Sequence, residues 1–138
     1  MDTEQTIERP QLTLTLLPQT LAICRLDHDA PIPDWACRSD FFSITRTPSE
    51  LSIVCPQASV PAGVDREPDW RAFTSRGPLG FTLTGLIESL AEPLAVAGIS
   101  IFAISTHETD YLLVKQTDLQ IATLALKKAG HDLVTPRR

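Results

Sequence analysis

Phe81 to Val114, FTLTGLIESLAEPLAVAGISIFAISTHETDYLLV, is the stretch that decides the fold of this chain. Leu79 to Leu83 reads as an apolar strand, and the helix that follows opens at Thr84 or Gly85. Leu86, Ile87, Leu90, Leu94 and Ala97 fall close to the i, i+4, i+8 spacing of one helical face, and Gly98 stands where a left-handed residue ends a helix. Pro93 opposes a regular helix, because it removes one backbone hydrogen bond and crowds the preceding turn at a cost of ~3 kcal/mol. The apolar spacing continues past it, so a helix with a bend is expected. Ile99 to Ser105 is apolar at nearly every position, as in a strand covered on both faces or packed at an interface. Thr106, His107, Glu108, Thr109 and Asp110 make a polar tip, and Tyr111 to Val114 returns as the partner strand.

Outward from this stretch, Thr117 with Gln120 three residues on has the form of a capping box. It would open a helix with Leu119, Ala122, Leu126 and Ala129 on one face, ended by Gly130 and followed by an edge strand over His131 to Val134. From Leu79 the order is therefore strand, helix, strand, strand, helix, strand, the ferredoxin-like plan. Before it, Trp70 to Thr74 is extended and turns at Gly77 and Pro78, and Pro56 to Pro68 reads as an irregular connection between two halves. Phe41 to Arg46 and Leu51 to Cys55 are strands joined by Thr47, Pro48, Ser49 and Glu50, which is hairpin-turn chemistry. Asp27 to Asp34 is a proline-containing loop, with one helical turn expected from Pro33 to near Cys37. LTLTLLPQTLAICRL, Leu12 to Leu26, gives two short strands or one broken at Pro18, and residues 1–11 read as a tail.

With 43% hydrophobic residues the chain can bury a core without staples. Cys24, Cys37 and Cys55 are odd in number and form no CxxC, so buried reduced thiols are expected and neither a disulfide nor structural zinc. Residues 1–68 hold five arginines against ten carboxylates, while residues 69–138 hold seven charges of each sign. An acidic half beside a neutral one offers no footprint for a phosphate backbone, so nucleic acid is not an expected partner. MDTEQTIERP lacks the pattern of a signal peptide, and the apolar runs fall short of the ~20 residues of a membrane span, so no membrane association and a cytoplasmic location are expected.

TGLIESLAEPLAVAGISI resembles the ACT domain pattern, in which a glycine and two aliphatics open the first helix and an Ala-Gly-aliphatic step leads into the second strand. STHETDYLLV after that strand is similar to the ACT-like domains of small two-domain bacterial proteins and of the cytosolic arginine sensors of animals, and FFSITRTPSELSIVC resembles the hairpin of their degenerate first half. The resemblance runs over residues 12–134. It implies an α+β fold of two ACT-like, ferredoxin-like units, a degenerate one over 12–68 and a full ACT domain over 69–138. It also implies a protein that binds a small ligand, typically an amino acid, without catalysis or cofactor, as a homodimer. The alternative is a ligand-free module whose exposed strands assemble oligomers or hold a partner protein.

Three candidate sites follow. At the strand-to-helix junction Thr84, Gly85, Leu86 and Ile87, unpaired amide groups and the helix dipole can hold a carboxylate; the alternative is that Gly85 only makes a tight turn and Thr84 caps the helix. At the tip, Thr106, His107 and Asp110 project near one another, with Asp110 or Glu108 suited to an ammonium or guanidinium group; the same residues also make an ordinary solvated turn. Ser52 and Ile53 of the first hairpin are the third candidate, as backbone partners from a facing strand or as simple strand pairs. No metal spacing and no nucleophile with a base in reach is present, so no catalytic residue is assigned, and a hydrolase dependent on His107 is not expected. His28 and His131 are read as structural or solvent-exposed, and Trp35, Trp70, Phe41 and Phe42 as packing residues.

Overall fold

The computed structural model describes residues 12–75 and 83–134. Eight strands alternate with two helices: β1 (Thr13–Leu16), β2 (Leu21–Leu26), β3 (Ser43–Thr47), β4 (Glu50–Pro56), β5 (Arg66–Ser75), α1 (Leu83–Val96), β6 (Ile101–Ser105), β7 (Asp110–Lys115), α2 (Leu119–Lys128) and β8 (Asp132–Val134). All eight strands join one sheet, and β5 is the strand both halves share. On one of its edges β5 pairs with β2 through Arg66, Glu67 and Trp70 and with β1 through Phe73, Thr74 and Ser75; β7 takes the other edge from Trp70 to Thr74.

Taken as the fourth strand of a first unit, β5 completes the order β5-β2-β4-β3, and taken as the first strand of a second it begins β5-β7-β6. Each is the ferredoxin-like arrangement, in which the first strand lies between the third and the fourth. The second unit carries an insertion. β1 lies between β5 and β8, antiparallel to the first and parallel to the second. Pro18, which the sequence marks as a break, is where the chain leaves β5's second half before β2 pairs with its first half. Asp69, at a φ of 67°, and a register irregularity between Leu21 and Ile23 mark the same changeover.

Strand alternation sorts the core into three clusters. Leu14, Phe73, Leu112 and Val114 face α1 and α2, meeting Leu90, Leu94, Ala122 and Leu126. In the first unit Cys24, Leu51, Ile53 and Cys55 face the same kind of cover, but short 3-10 turns over Asp34–Cys37 and Gln57–Ser59 replace the helices. Ala36, Val60 and Val64 close that face. Two arginines hold the loops in place: Arg46 donates to the carbonyls of His28 and Ala30, and Arg66 to those of Val60, Pro61 and Val64. The opposite faces of the two units supply the third cluster, Leu21, Val54, Trp70, Ala72 and Leu113, with Phe41, Phe102 and Tyr111 against it.

Local chemistry explains most boundaries. In the β3–β4 hairpin the Thr47 hydroxyl accepts the N–H groups of Ser49 and Glu50, each at 3.2 Å. Gly98, at a φ of 77°, ends α1 with paired bonds from Ile99 N–H to Leu94 C=O and Gly98 N–H to Ala95 C=O, and Gly130 ends α2 in the same way through His131 and Leu126. Several sequence expectations are corrected. Leu83 belongs to α1 rather than to a strand over Leu79 to Leu83, the rest of which lies outside the described residues; the extended segment ahead of the helix is β5. The capping box at Thr117 does not form, because a 3-10 turn over Gln116–Asp118 runs straight into α2 and makes Asp118 its helical N-cap without a side-chain bond. Of the three free thiols Cys37 is exposed, and Phe42 is 41% exposed. Cys24 and Cys55 are buried together, and their mutual hydrogen-bonding interaction holds the Cys24 thiol below its ordinary range and, with burial, pushes Cys55 above it. Among the described residues no helix is long and apolar enough to cross a membrane.

Candidate ligand-binding site

α1 (Leu83–Val96) runs into β6 at Ile101, which pairs with Val114, so the start of the helix lies toward the opposite end of the sheet, where Ser75 and Asp110 lie. Thr74 pairs with Tyr111, which places Ser75 beside Asp110 on the adjoining strand. Both are buried, Ser75 at 6% exposure and Asp110 at 3%. Asp110 shares its face of β7 with Leu112 and Val114, the face that the helices cover. Its backbone carbonyl accepts the Thr74 hydroxyl at 3.3 Å, while its Oδ1 has no partner among the described residues. A carboxylate oxygen removed from water without a hydrogen bond is costly, and a ligand cation is one way to satisfy it.

α1 begins at Leu83, one residue earlier than the sequence suggested, so Thr84 and Gly85 lie in its first turn and Leu86 and Ile87 follow, where N–H groups already bond back along the helix. An α-helix leaves its leading N–H groups without intrahelical partners, which is the chemistry a carboxylate uses. Thr106 is engaged in the tip: its N–H donates to Thr109 C=O at 2.8 Å, and its hydroxyl accepts the Thr109 N–H at 3.0 Å. His107 and Glu108 are exposed beyond that turn. The structure thus brings Asp110 to the same sheet end as the start of α1 and leaves His107 in solvent. Ser52 and Ile53 sit elsewhere, on β4, with β2 and β5 between them and β7. Ile53 is fully buried under the first unit's loops; Ser52 faces the other way and lines a cavity against β6.

One polar residue in this layer, read from the sequence as structural or solvent-exposed, is structural, with partners the sequence did not indicate. His131 is 4% exposed; its Nδ1 accepts the Leu12 N–H at 3.1 Å and its Nε2 lies 3.0 Å from Ser89 C=O. Accepting at Nδ1 leaves the proton on Nε2, which donates to Ser89. The signal was in α1: Pro93 has no N–H to give the carbonyl four residues earlier, and that carbonyl is Ser89. His131 supplies the missing donor. Among the described residues no group of three or more His, Cys, Asp or Glu is placed to hold a metal ion.

Comparison with known proteins places this arrangement. The ACT domain family model matches residues 65–128, and a model for an N-terminal domain that precedes it matches residues 19–63. The crystal structure of protein Atu0741 from Agobacterium tumefaciens is 40% identical and superimposes with a TM-score of 0.88 over 94% of this chain and 96% of that one. The human protein CASTOR3P is 32% identical over 104 residues, 64% of this chain and 63% of its own length. The bovine cytosolic arginine sensor for mTORC1 subunit 1 is 26% identical over 102 residues, 66% of this chain and 31% of its own. The chain thus spans less than two thirds of the curated relatives it matches. Fold, matched model and relatives agree, and the chain belongs to the ACT domain family, close to a small bacterial protein of the same length and related to the animal cytosolic arginine sensors.

Proposed function

We propose that this protein is a non-catalytic, cytoplasmic regulator that binds an amino acid between the first turn of α1 and Asp110. The ligand carboxylate rests on the leading amides of α1 up to Gly85, beside Leu86 and Ile87, and its ammonium or a basic side chain rests on Asp110. The observation that carries this reading is the 3% exposed Asp110, whose Oδ1 has no partner among the described residues, at the sheet end toward which α1 starts. The bovine relative is an arginine sensor, which supports a basic amino acid as the ligand here. We also propose a homodimer: Ile121 and Leu124 are 54% and 62% exposed on α2, next to β8 at the end of the strand order. A regulator of this kind works by the difference in ligand affinity between its states, since a ligand bound equally by both shifts nothing.

A thermal-shift screen of the twenty amino acids tests the reading. A ligand at about a hundred times its Kd stabilises the folded state by roughly 2.7 kcal/mol, so a selective rise in Tm with a basic amino acid is expected. Asp110→Asn, which keeps the side-chain volume, should weaken that ligand at least about tenfold through loss of the charge-assisted bond while leaving the unliganded protein folded. No rise with any amino acid would count against the sensor.

A further inference from the structure

A second site lies on the far face of the sheet. β3 ends the strand order on the side away from β8, β6 ends the branch that leaves β5 through β7, and each has only one strand partner among the described residues. Because the back faces of the two units pack together in the third cluster, these two terminal strands come to line one cavity of about 250 Å³. The hairpin contributes alternate residues, Ser43, Thr45, Ser52 and Val54, which is one face of β3 and β4. From β6 the contribution is consecutive, Phe102 through Ser105, so both faces of the strand reach the cavity. A strand that borders a cavity with consecutive residues borders it with its edge.

β6 reads IFAIS, and Ala103 and Ser105 on it are exposed. Natural sheets protect such an edge with a charge, a proline or a bulge, and β6 has no charged residue and no proline. The cavity lining also holds no charged side chain; its polar groups are hydroxyls, which both donate and accept.

We propose that this cavity is a peptide-binding groove, in which an extended, uncharged segment of a partner protein adds as a strand to the edge of β6 that has no strand partner among the described residues. The main chain of the segment pairs with β6, and its alternate side chains lie on the hairpin face, where Ser43, Thr45 and Ser52 select small or hydroxyl-bearing residues over charged ones. At about 3.3 Å per residue, the five residues of β6 offer a strand of comparable length to pair with. The groove adjoins the Asp110 site, since its lining residue Ser105 pairs with Asp110, but the hairpin wall with Thr45 and Ser52 lies away from Asp110, so a response at Thr45 and Ser52 distinguishes it from amino-acid binding.

The probe is a capped heptapeptide, Gly-Ser-Val-Ser-Val-Ser-Gly, titrated into the full chain and followed by amide shifts and hydrogen exchange. The expected result is saturable binding, with new protection confined to Ile101–Ser105 and shifts at Thr45 and Ser52. Methylating alternate backbone nitrogens of the peptide should weaken binding about tenfold or more, the loss of one or two net hydrogen bonds. Thr45→Arg, at an exposed position, should do the same without changing the Tm. Equal binding of the methylated peptide, shifts away from β6, or no binding at millimolar peptide would overturn the proposal. Protection of β6 that rises with protein concentration alone would assign the edge to a second copy of the chain and overturn it as well.

Discussion

Replacing His131 by alanine is expected to lower the unfolding free energy by about 2–5 kcal/mol, read as a shift of the urea midpoint with an unchanged slope. Two buried backbone groups lose their partners at once: the Leu12 N–H, bonded to Nδ1 at 3.1 Å, and the Ser89 C=O, 3.0 Å from Nε2. The carbonyl loss has a specific remedy. Pro93→Ala returns a backbone N–H four residues after Ser89, so in the His131→Ala background that second change should recover part of the lost stability. In the parent, the same proline substitution offers an N–H to a carbonyl that His131 already occupies, so its effect should be more modest. A double-mutant cycle would read the coupling directly. Independent, additive effects would mean that the Ser89 carbonyl is not the shared partner.

The second large effect belongs to Trp70, on the segment where β5 passes from one unit to the other. Trp70 is 4% exposed, pairs with Leu21 on one side and Lys115 on the other, and meets Phe102 edge-on at 6.4 Å between ring centroids. It fills the third cluster, the contact between the back faces of the two units. Trp70→Ala should cost about 3–5 kcal/mol by chemical denaturation, combining the lost burial with the cavity left behind. Trp70→Phe should cost much less, because the indole Nε1 is buried without a partner among the described residues and its removal takes away an unpaired donor. If the two substitutions cost the same, volume at this position is not what joins the units.

Local chemistry made much of this fold legible in the sequence. Thr47 to Glu50 marked the β3–β4 hairpin because a threonine hydroxyl in a short loop satisfies the amides that follow it. Gly98 and Gly130 marked the ends of α1 and α2 because only a left-handed residue closes those helices cheaply. The long-range features were not legible. Nothing in LTLTLL says that β1 lies between β5 and β8, since alternation specifies a half-buried strand and not its neighbours. Pro56 to Pro68 hid the start of β5 at Arg66, because proline and acidic residues lower strand propensity while pairing with β2 restores the strand. Thr117 and Gln120 had the spacing of a cap, but the preceding 3-10 turn took over that role. His131 and Pro93 are 38 residues apart in the chain, and only the packing of α1 against the end of α2 reveals that one answers the other.

At the candidate site, motif spacing pointed to Gly85 and Asp110 separately. Tertiary structure adds that Asp110 is buried and that its face of β7 is the one α1 covers, which no spacing could convey. It also separates Ser52 and Ile53 onto opposite faces of β4, so that Ser52 lines the cavity against β6 and Ile53 is buried under the first unit's loops.

Amide NMR of the labelled chain during titration with arginine tests the account most directly. The prediction is saturable shifts of the Gly85, Leu86, Ile87 and Asp110 amides at ligand concentrations that also raise the Tm, and loss of both effects in Asp110→Asn. Shifts that saturate elsewhere while these four amides stay still, or binding that Asp110→Asn leaves intact, would contradict it.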